Sequence, residues 1–322
     1  MKAVVASDYS GIDALAYRDW PEPEPKAGQV LIRAEAIGAN FADGLMVQGR
    51  YQVKPEPPFV PGMEVAGVVE AVGEGVTAFK PGDRVAAFGG LGCFAEKVVM
   101  PQENVMPLPV EIDAAEACAL IVGYGTGYHA LKQRAALKAG ETVCVTGAAG
   151  LTGSATVQLA KAMGARVIAV ASSEAKRGIA VAAGADDAIG YDNLPDDLKR
   201  LTGGKGVDVV FETVGGSVFD AISRRMAWNG RLLVVGFASG EIPKFPVNLA
   251  LVKGYSVVGV FWGDFANREP QANRENIGEI MAMHAAGKLR PVIDGRYELA
   301  EAGTALKRMQ ERSVTGKVVL VP

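Results

Sequence analysis

The stretch VCVTGAAGLTGSATVQLAKAMGARVIAV, Val143 to Val170, joins two short apolar runs through a turn with glycines at 147, 150 and 153. The turn lies where a predicted strand becomes a predicted helix. A helix N-terminus presents unpaired N–H groups and the positive end of the helix dipole, so it binds phosphate when side chains leave room. The stretch therefore predicts a strand, turn, helix and strand in sequence, with a dinucleotide at the turn.

The match with the dinucleotide fingerprint G-x-G-x-x-G is incomplete, because Ala148 stands where the first glycine is expected. A glycine-rich turn that binds nothing is the alternative interpretation. The position of the motif between a strand and a helix, within an alternating region, favours the nucleotide site. The residues expected to line it are Gly147, Ala148, Ala149, Gly150, Leu151, Thr152 and Gly153.

The pattern of predicted strands and helices changes near residue 125 and divides the chain into two regions. Short β-rich segments broken by PEPEPKAG, KPEPPFVPG and FKPGDR come first and predict a compact, mostly antiparallel fold. Strands and helices then alternate, from VCVTG through RVIAVA, DAIGY, VDVVFETVG and RLLVVGF to YSVVGVF, with helices expected to Met163, through Val181, at DDLKRLTG and through Met226. This alternation predicts a doubly wound parallel sheet. A helix at IGEIMAMHAAGKL and a strand at KVVLVP are expected to close the chain.

Composition narrows the classes of partner. The chain has 322 residues, of which 49% are apolar and 21% charged, and a net charge of -3. Without a basic block, neither nucleic acid nor an anionic membrane is expected as a partner. The N-terminus has no apolar run long enough for a secretory signal, and no uninterrupted apolar segment is long enough to span a membrane. We therefore expect a cytoplasmic protein with reduced, scattered cysteines.

The end of the second strand indicates which dinucleotide is bound. An NAD enzyme usually places an acidic residue about 20 residues beyond the glycines, where it binds the ribose 2′-OH. Here the strand ends in AVASSEAKR, and Glu174 is better placed in the first turn of the next helix. Ser172 and Lys176 are candidate donors to a 2′-phosphate, which predicts NADPH. An ordinary solvated lysine is the alternative interpretation of Lys176.

Several further motifs extend over the whole length of the chain. They are GANFADGLMVQGRY, PGMEVAGVVEAVGEGV, KPGDRV, GYGTGYHAL, the GAAGLTG turn and TGKVVL. With these motifs the chain resembles the zinc-independent quinone oxidoreductases of the medium-chain dehydrogenase/reductases, the zeta-crystallin-like proteins. The resemblance implies an α/β fold with a mostly antiparallel GroES-like substrate domain at 1–124 and 267–322, and a doubly wound Rossmann domain at 125–266.

The resemblance also implies a cofactor and its partners. NADPH is expected to bind with Lys176 and Tyr191 at the 2′-phosphate, and Arg312 is a further candidate for a phosphate contact. Phe237, in GFASG, is assigned to the cofactor site as a candidate wall for a flat acceptor, with plain packing as the alternative.

Residues at the zinc-ligand positions of the wider superfamily argue against a metal. Zinc alcohol dehydrogenases resemble this chain but need a Cys near the position of Asn40 and a His beside the Glu of a G-H-E motif. Here Met63 stands beside Glu64. A thioether does not replace a neutral imidazole as a zinc ligand. We therefore expect neither catalytic nor structural zinc.

Without zinc, hydride is expected to pass to an acceptor that is already electron-poor, such as a quinone or conjugated carbonyl. The resemblance assigns Asn40, Asp43 and Tyr51 to the catalytic cleft, and a turn-forming Asn and Asp with a core Tyr is the alternative. In the related 2-enoyl thioester reductases, the tyrosine that closes an equivalent Q-G-x-Y stretch is the proposed proton donor. Relatives commonly carry Tyr at Leu45 and Arg at Val47, so this pocket is expected to be less polar.

Three functions are consistent with these observations. NADPH-dependent quinone reduction is the leading candidate, and reduction of the C=C bond of enals, enones or 2-enoyl thioesters is the second. The third, from another class, is an NADPH-binding structural or regulatory protein with little turnover.

The β-branched strand YSVVGVF is expected to be the exposed edge of the parallel sheet, which predicts a homodimer by edge pairing. An edge covered by its own loop is the alternative.

Overall fold

The computed structural model describes residues 1–322, which form two units, each compact in itself. The first unit comprises Met1–Val122, Ala266–Arg274 and Pro291–Pro322, and the second comprises Gly123–Phe265 and Glu275–Arg290. This division differs from the expected domains chiefly at 275–290, which packs with the second unit. Hydrogen bonds explain the difference, because the Gln158 side chain is bonded to both the N–H and the carbonyl of Arg290.

The strands follow in chain order: β1 (Lys2–Val5), β2 (Ala16–Asp19), β3 (Gln29–Ala39), β4 (Glu64–Val72), β5 (Arg84–Phe88), β6 (Lys97–Pro101), β7 (Val105–Pro107), β8 (Thr142–Thr146), β9 (Arg166–Val170), β10 (Asp187–Ile189), β11 (Val207–Glu212), β12 (Met226–Val234), β13 (Ser256–Gly259), β14 (Ile293–Glu298) and β15 (Lys317–Val321).

The α-helices are α1 (Phe41–Met46), α2 (Ala114–Cys118), α3 (Gly125–His129), α4 (Leu151–Ala162), α5 (Glu174–Ala182), α6 (Leu194–Leu201), α7 (Gly216–Ser223), α8 (Asn248–Lys253), α9 (Trp262–Arg268), α10 (Pro270–Ala285) and α11 (Ala302–Gln310). Wider π-helical turns follow α2 at Ala119–Tyr124 and α3 at Ala130–Arg134, and 3₁₀ turns occur at Ile12–Ala14, Gln102–Asn104 and Leu299–Glu301. None of the helices combines the length and the apolar character that a membrane crossing requires.

The second unit is built on a six-stranded sheet in the order β10-β9-β8-β11-β12-β13. Every neighbouring pair is parallel. This is the strand order of the dinucleotide-binding doubly wound fold, in which ligands bind at the carboxyl ends of the strands where the order reverses, here between β8 and β11. The predicted fold of this region is therefore confirmed.

One predicted boundary in the second unit is wrong. The helix expected to continue through Met226 ends at Ser223, and Met226 is the first residue of β12. The side chain of Met226 is buried in the same apolar cluster as Phe219 and Ile222 of α7. An apolar residue there satisfies a buried strand as well as a helix face, so periodicity alone did not distinguish them.

The first unit contains the expected mostly antiparallel sheet. Its seven strands follow the order β14-β15-β3-β4-β5-β7, with β6 also paired to β3, and only the pairing of β14 with β15 is parallel. β15, near the end of the chain, pairs with β3 near its beginning through Val318 and Ala39. This pairing brings Lys317 beside the start of α1, where the candidate residues Asn40 and Asp43 lie.

Candidate active site and nucleotide turn

The glycine turn between β8 and α4 is closely packed on one side. Gly147 adopts a φ of +61°, and a Cβ at this position would lie 2.8 Å from Thr213 Oγ1. A Cβ on Gly153 would lie only 2.2 Å from the carbonyl oxygen of Gly147. Glycine is therefore required at both positions, at the first by conformation and at the second by the close approach of helix and turn.

Helix α4 begins at Leu151 after Gly150, and no side chain caps its N-terminus. The hydroxyls of Ser154 and Thr156 donate instead to carbonyls within the helix, those of Leu151 and Thr152. The first N–H groups of α4 thus face the turn without a side-chain acceptor, at the positive end of the helix dipole. Residues 147–153 fit the pyrophosphate of a dinucleotide in both space and charge.

Tyr191 connects this turn to the neighbouring strand. Its hydroxyl accepts a 3.0 Å hydrogen bond from the N–H of Gly147 and lies 3.4 Å from the carbonyl of Val170, at the end of β9. The N–H of Ala148 also donates to that carbonyl, at 3.2 Å. The structure therefore brings Tyr191 to the glycine turn itself, and its expected contact with a 2′-phosphate stays a prediction.

The segment between β9 and α5 agrees with the sequence prediction that Glu174 lies in the first turn of the helix. Ser173 caps α5 by accepting from the N–H of Lys176, and Glu174 lies in the first turn of that helix. Ser172 is exposed, and Lys176 is half-buried in the first turn. Because β8 and β9 are adjacent and parallel, this connection and the glycine turn lie at the same edge of the sheet.

The two remaining candidates for the cofactor site belong to different units. Phe237 follows β12 in the second unit, where its ring lies 3.0 Å from the position of a Cβ on Gly215. Arg312 belongs to the first unit, just after α11, and has a φ of +56°. Their roles at the cofactor stay predictions.

Glu212, which sequence reasoning did not single out, supports the loop beside the glycine turn. Its fully buried carboxylate accepts hydrogen bonds from the N–H groups of Val214 and Gly215, at 2.8 and 2.9 Å. Burial raises the pKa of Glu212, and these two hydrogen bonds oppose that rise. Since β11 neighbours β8, the carboxylate fixes the loop that packs against Gly147.

In the first unit, the start of α1 places Asn40 and Asp43 together. The Asn40 N–H donates to Asp43 Oδ2 at 2.7 Å, which satisfies one orphan donor at the helix start. Asp43 is fully buried, and its Oδ1 atom has no hydrogen-bond partner. Burial raises the pKa of Asp43 to about 7, although the Asn40 N–H and the charge of Lys317 act in the opposite direction.

A buried ion pair lies beside these residues. Lys317 and Glu64 are both completely buried, and their charged groups are in direct contact. The Lys317 ammonium also donates to the Ala39 carbonyl at 3.1 Å and to Asn40 Oδ1 at 2.9 Å. Glu64 Oε2 accepts from the N–H of Val122 at 3.1 Å. The pair is therefore fully hydrogen-bonded, as a buried charge requires.

The amide of Asn40 is fully engaged within this cluster. Its Nδ2 atom donates to Glu64 Oε1 at 2.9 Å and to the Gly38 carbonyl at 3.3 Å, while its oxygen accepts from Lys317. Both amide hydrogens therefore have acceptors inside the protein. In this geometry Asn40 positions its neighbours and offers no side-chain donor to a substrate oxygen.

Tyr51 is the one candidate of the three that is not fully enclosed. Its side chain is half-buried in the segment after α1. Burial, and to a smaller extent the negative charge of Asp43, raise the pKa of Tyr51. The phenol therefore keeps its proton at neutral pH and can act as a hydrogen-bond or proton donor.

An ammonium group, that of Lys317, lies beside the zinc-ligand positions. Asn40 and Glu64 both bind Lys317, and the Met63 thioether is buried next to them in sequence. The structure contains no group of three or more His, Cys, Asp or Glu side chains arranged to bind a metal ion. These residues do not fit zinc, because an amide and a thioether stand where the Cys and His ligands are needed and Lys317 neutralises the adjacent Glu64.

Two family models match the chain. The alcohol dehydrogenase GroES-like domain matches residues 26–110, and the model described as zinc-binding dehydrogenase matches residues 152–277. The quinone oxidoreductase-like protein 2 homolog of Nematostella vectensis is 43% identical over 297 residues, which are 91% of this chain and 81% of that protein. The chain belongs to the zinc-independent quinone oxidoreductase family of medium-chain dehydrogenase/reductases.

Solved structures agree with this family assignment. A mycobacterial protein complexed with NADPH matches with a TM-score of 0.95 and 33% identity, over the full length of both chains. The quinone oxidoreductase of Escherichia coli complexed with NADPH matches with a TM-score of 0.94 and 27% identity, again over both full lengths. The expected family and fold are thus confirmed, and the chain is an oxidoreductase of this family.

Proposed function

We propose that this oxidoreductase transfers hydride from NADPH to a quinone or another electron-poor conjugated carbonyl, without zinc. The observation that carries the proposal is the set of residues at the zinc-ligand positions: Asn40 and Met63 stand where zinc-dependent relatives need ligands, and the Lys317 ammonium neutralises the adjacent Glu64. Such a site has no Lewis acid to activate an alcohol, so an acceptor that is already polarised is required.

The second unit supplies the cofactor site of this proposal. NADPH provides the hydride, and the protein provides binding and orientation. The N–H groups at the start of α4 bind the pyrophosphate, and Ser172 and Lys176 bind the 2′-phosphate from the end of the neighbouring strand. Two solved relatives at 33% and 27% identity are complexed with NADPH, which supports the same cofactor here.

The first unit supplies the groups that respond to the charge developing on the acceptor. Hydride addition to a quinone produces an oxyanion, which a nearby hydrogen-bond donor stabilises. Tyr51 is the candidate donor, since the Asn40 amide is engaged elsewhere. The negative charge of Asp43 adds to the rise that burial causes in the Tyr51 pKa.

Reduction of a C=C bond is the second candidate function, and the state of Tyr51 favours it. Hydride addition to the β-carbon of an enone leaves a carbanion equivalent that must be protonated on carbon. A phenol that keeps its proton at neutral pH, as Tyr51 does, is a suitable proton source. A quinone needs protons only on oxygen, which water supplies readily.

Steady-state NADPH oxidation with 1,4-benzoquinone and with an enone distinguishes the two candidates. In a C=C reductase, Tyr51→Phe lowers kcat for the enone by about 10² or more, because general acid catalysis contributes at that scale. Benzoquinone reduction by the same variant should fall by a smaller factor, because there the hydroxyl only stabilises an oxyanion and need not transfer a proton to carbon. Tyr17→Phe, which alters an exposed tyrosine of the first unit, is the matched control.

The same assay tests the proposal against a function in another class. NADPH bound tightly, with no oxidation across a panel of quinones, enals, enones and enoyl thioesters, would support a structural or regulatory protein. Quinone turnover that persists after dialysis against a zinc chelator supports the zinc-independent reaction. Loss of that turnover on chelation, restored by added zinc, would contradict it.

The proposal also includes a homodimer formed through the second unit. Large apolar side chains are exposed on β12, on β13, on α8 and on the segment before α8, here together termed the α8/β13 face: Trp228, Ile242, Val247, Leu251, Val252 and Val257. Leu251 is 83% exposed and Val247 is 76% exposed. Exposed apolar groups beside an unpaired parallel edge favour pairing with a second copy.

A further inference from the structure

We infer that Glu212 is a positioning residue for the nicotinamide half of NADPH. Its buried carboxylate fixes residues 213–216, here termed the β11 loop, and this loop in turn fixes residues 237–241. Both segments belong to the second unit. The inference rests on the proposed function, in which the pyrophosphate of the cofactor lies at the glycine turn.

The strand order indicates where the nicotinamide half lies in that placement. A dinucleotide crosses the crevice at the point where the strand order reverses, which is between β8 and β11. With the pyrophosphate at the turn after β8, the adenosine ribose lies on one side, beyond the end of β9. The nicotinamide half then extends to the other side, beyond the carboxyl ends of β11 and β12. The segments that leave these two ends are the β11 loop and residues 235–241.

The Glu212 carboxylate binds donors at this edge of the sheet. Its Oε1 atom accepts from the N–H groups of Val214 and Gly215, at 2.8 and 3.1 Å, and its Oε2 atom accepts from Gly215 at 2.9 Å. The Thr146 hydroxyl lies 3.3 Å from Oε1. Glu212 and Thr146 are fully buried, so these donors replace the water that a carboxylate otherwise requires. The position of the β11 loop is therefore tied to the position of the carboxylate.

Three backbone hydrogen bonds join the β11 loop to residues 237–241. They run from Ala238 to the Thr213 carbonyl, from Ser239 to the Val214 carbonyl and from Gly216 to the Glu241 carbonyl, at 2.9, 2.8 and 3.1 Å. The loop thus binds the carboxylate through N–H groups and the second segment chiefly through carbonyl groups. A displacement at Glu212 is transmitted to both segments.

Close packing leaves the two segments little freedom. Gly215 has a φ of +76°, and a Cβ on it would lie 2.6 Å from the Glu241 carbonyl oxygen and 3.0 Å from the Phe237 ring. The start of the loop is bonded to the end of β8, because the N–H of Thr213 donates to the Thr146 hydroxyl at 2.9 Å. A shift of the loop therefore reaches Phe237, the candidate wall for a flat acceptor.

Glutamine does not replace Glu212 in this geometry. A glutamine amide has one acceptor oxygen, and its NH₂ group would face the N–H of Gly215 or Val214. A buried N–H would lose its acceptor, and the loop would move. Hydride transfer requires the reacting atoms to lie about 3 to 3.5 Å apart, so a small displacement lowers the rate more than the affinity.

Glu212→Gln tests the inference with two ligands that differ in the nicotinamide half. The probe 2′,5′-ADP carries the adenosine and the 2′-phosphate and lacks the nicotinamide. By calorimetry, the Kd of the variant for NADPH should rise about fivefold or more, the scale of a buried N–H that has lost its acceptor. Its Kd for 2′,5′-ADP should stay unchanged. An equal loss for both ligands indicates a general loosening of the unit and overturns the inference, as does unchanged NADPH affinity.

Turnover provides a second readout. With a quinone acceptor, kcat of Glu212→Gln should fall about tenfold or more. The isotope effect of NADPH deuterated at the transferred hydrogen should increase, because hydride transfer becomes the slower step. An unchanged kcat and isotope effect would overturn the inference. Absence of turnover in the wild type with every acceptor would contradict only the proposed function, since the comparison of the two ligands still tests Glu212.

Glu141→Gln is the matched control. Glu141 lies just before β8, at the amino end of that strand, and forms an ion pair with Arg231. Its variant should lose stability but keep the wild-type Kd, kcat and isotope effect. The same selective loss of NADPH binding in this control would overturn the inference.

Hydrogen exchange of the wild type tests the inference even if Glu212→Gln does not fold. NADPH should slow exchange in residues 213–216 and 237–241, whereas 2′,5′-ADP should slow it only at the glycine turn and at residues 171–176. Equal slowing of residues 213–216 by both ligands, or none by NADPH, would overturn the inference.

Discussion

The ammonium of Lys317 donates a 2.9 Å hydrogen bond to the amide oxygen of Asn40, a residue 277 positions earlier in the chain. This contact fixes which way the amide faces, because the oxygen must point to the ammonium and the nitrogen to Glu64. The backbone N–H of Asn40 separately donates a hydrogen bond to Asp43 Oδ2. One lysine thus fixes the orientation of the Asn40 side chain at the start of α1.

Gly153→Ala should impair both folding and nucleotide binding. The added methyl would lie 2.2 Å from the Gly147 carbonyl oxygen and 2.8 Å from Ala148 Cα, both backbone atoms, so α4 must move away from the turn. We expect a loss of about 1 to 3 kcal/mol in unfolding free energy. The Kd for NADPH should rise at least about tenfold, equivalent to about 1.4 kcal/mol.

Thermal unfolding and fluorescence titration with NADPH measure these two effects. Gly278→Ala is the matched control, because that glycine is exposed in α10 and a Cβ there meets nothing within 4 Å. It should keep NADPH affinity and gain up to about 1 kcal/mol from helix propensity. Equal affinity in wild type and Gly153→Ala would contradict the assignment of the turn.

Lys176→Ala should weaken NADPH binding selectively. Loss of a charge-assisted contact at a partly exposed site costs about 1 to 2 kcal/mol, or roughly five- to thirtyfold in affinity. NADH, which lacks the 2′-phosphate, should bind the variant as it binds the wild type. Titration with both cofactors measures the ratio, and Lys205→Ala, an exposed lysine of the same unit, is the control. An equal loss for both cofactors would make Lys176 a surface lysine.

Asp43 should make the protein less stable as the pH rises from about 4 to about 8. Its pKa is about 7 in the folded state and lower when the chain is unfolded, so over this range the folded state binds more protons. Stability falls with pH where the folded state holds more protons, and the total change is up to about 4 kcal/mol.

Urea unfolding of wild type and Asp43→Asn across this pH range isolates the effect, because other titrating groups are shared. We expect the difference in unfolding free energy between the two proteins to change steadily up to about pH 7 and then level off. A constant difference would mean that Asp43 ionises as an ordinary carboxyl group in the folded protein.

Leu251→Glu should convert the proposed dimer to a monomer. Burying the leucine contributes about 1.5 to 3 kcal/mol per side chain, and a glutamate at the same place would bring an unpaired charge into the interface. The dimer Kd should rise at least about 100-fold, since the leucine is lost from both copies. Light scattering at micromolar concentration measures the mass, with Val110→Glu, 77% exposed in the first unit, as the control. A monomeric wild type would refute the dimer.

The parallel sheet could be predicted from the sequence because each of its strands is a local apolar run between turn residues. Val143 to Val170 carries the first strand, turn, helix and second strand within a single window. The boundary at Met226 was missed, because a buried methionine fits both a helix face and a strand. Local pattern determines which elements exist more reliably than where each one ends.

The charge cluster could not be predicted in the same way. Lys317 opens an apolar strand, and the cost of burying a lysine implies an anionic partner. Its partner Glu64 lies 253 residues away, and only the pairing of β15 with β3 and of β3 with β4 brings the two together. The motifs G-M-E and TGKVVL contained both residues, but neither motif indicates that they meet.

The six-stranded sheet has two unlike edges, and this difference limits how far association through it can proceed. Pairing of two β13 edges would place β10 at both outer margins of a twelve-stranded sheet. β10 has only three residues and begins with Asp187, which is paired to Arg166. Short, charged edges resist further strand addition. The assembly would therefore be self-terminating, closing at two copies instead of growing into a fibre.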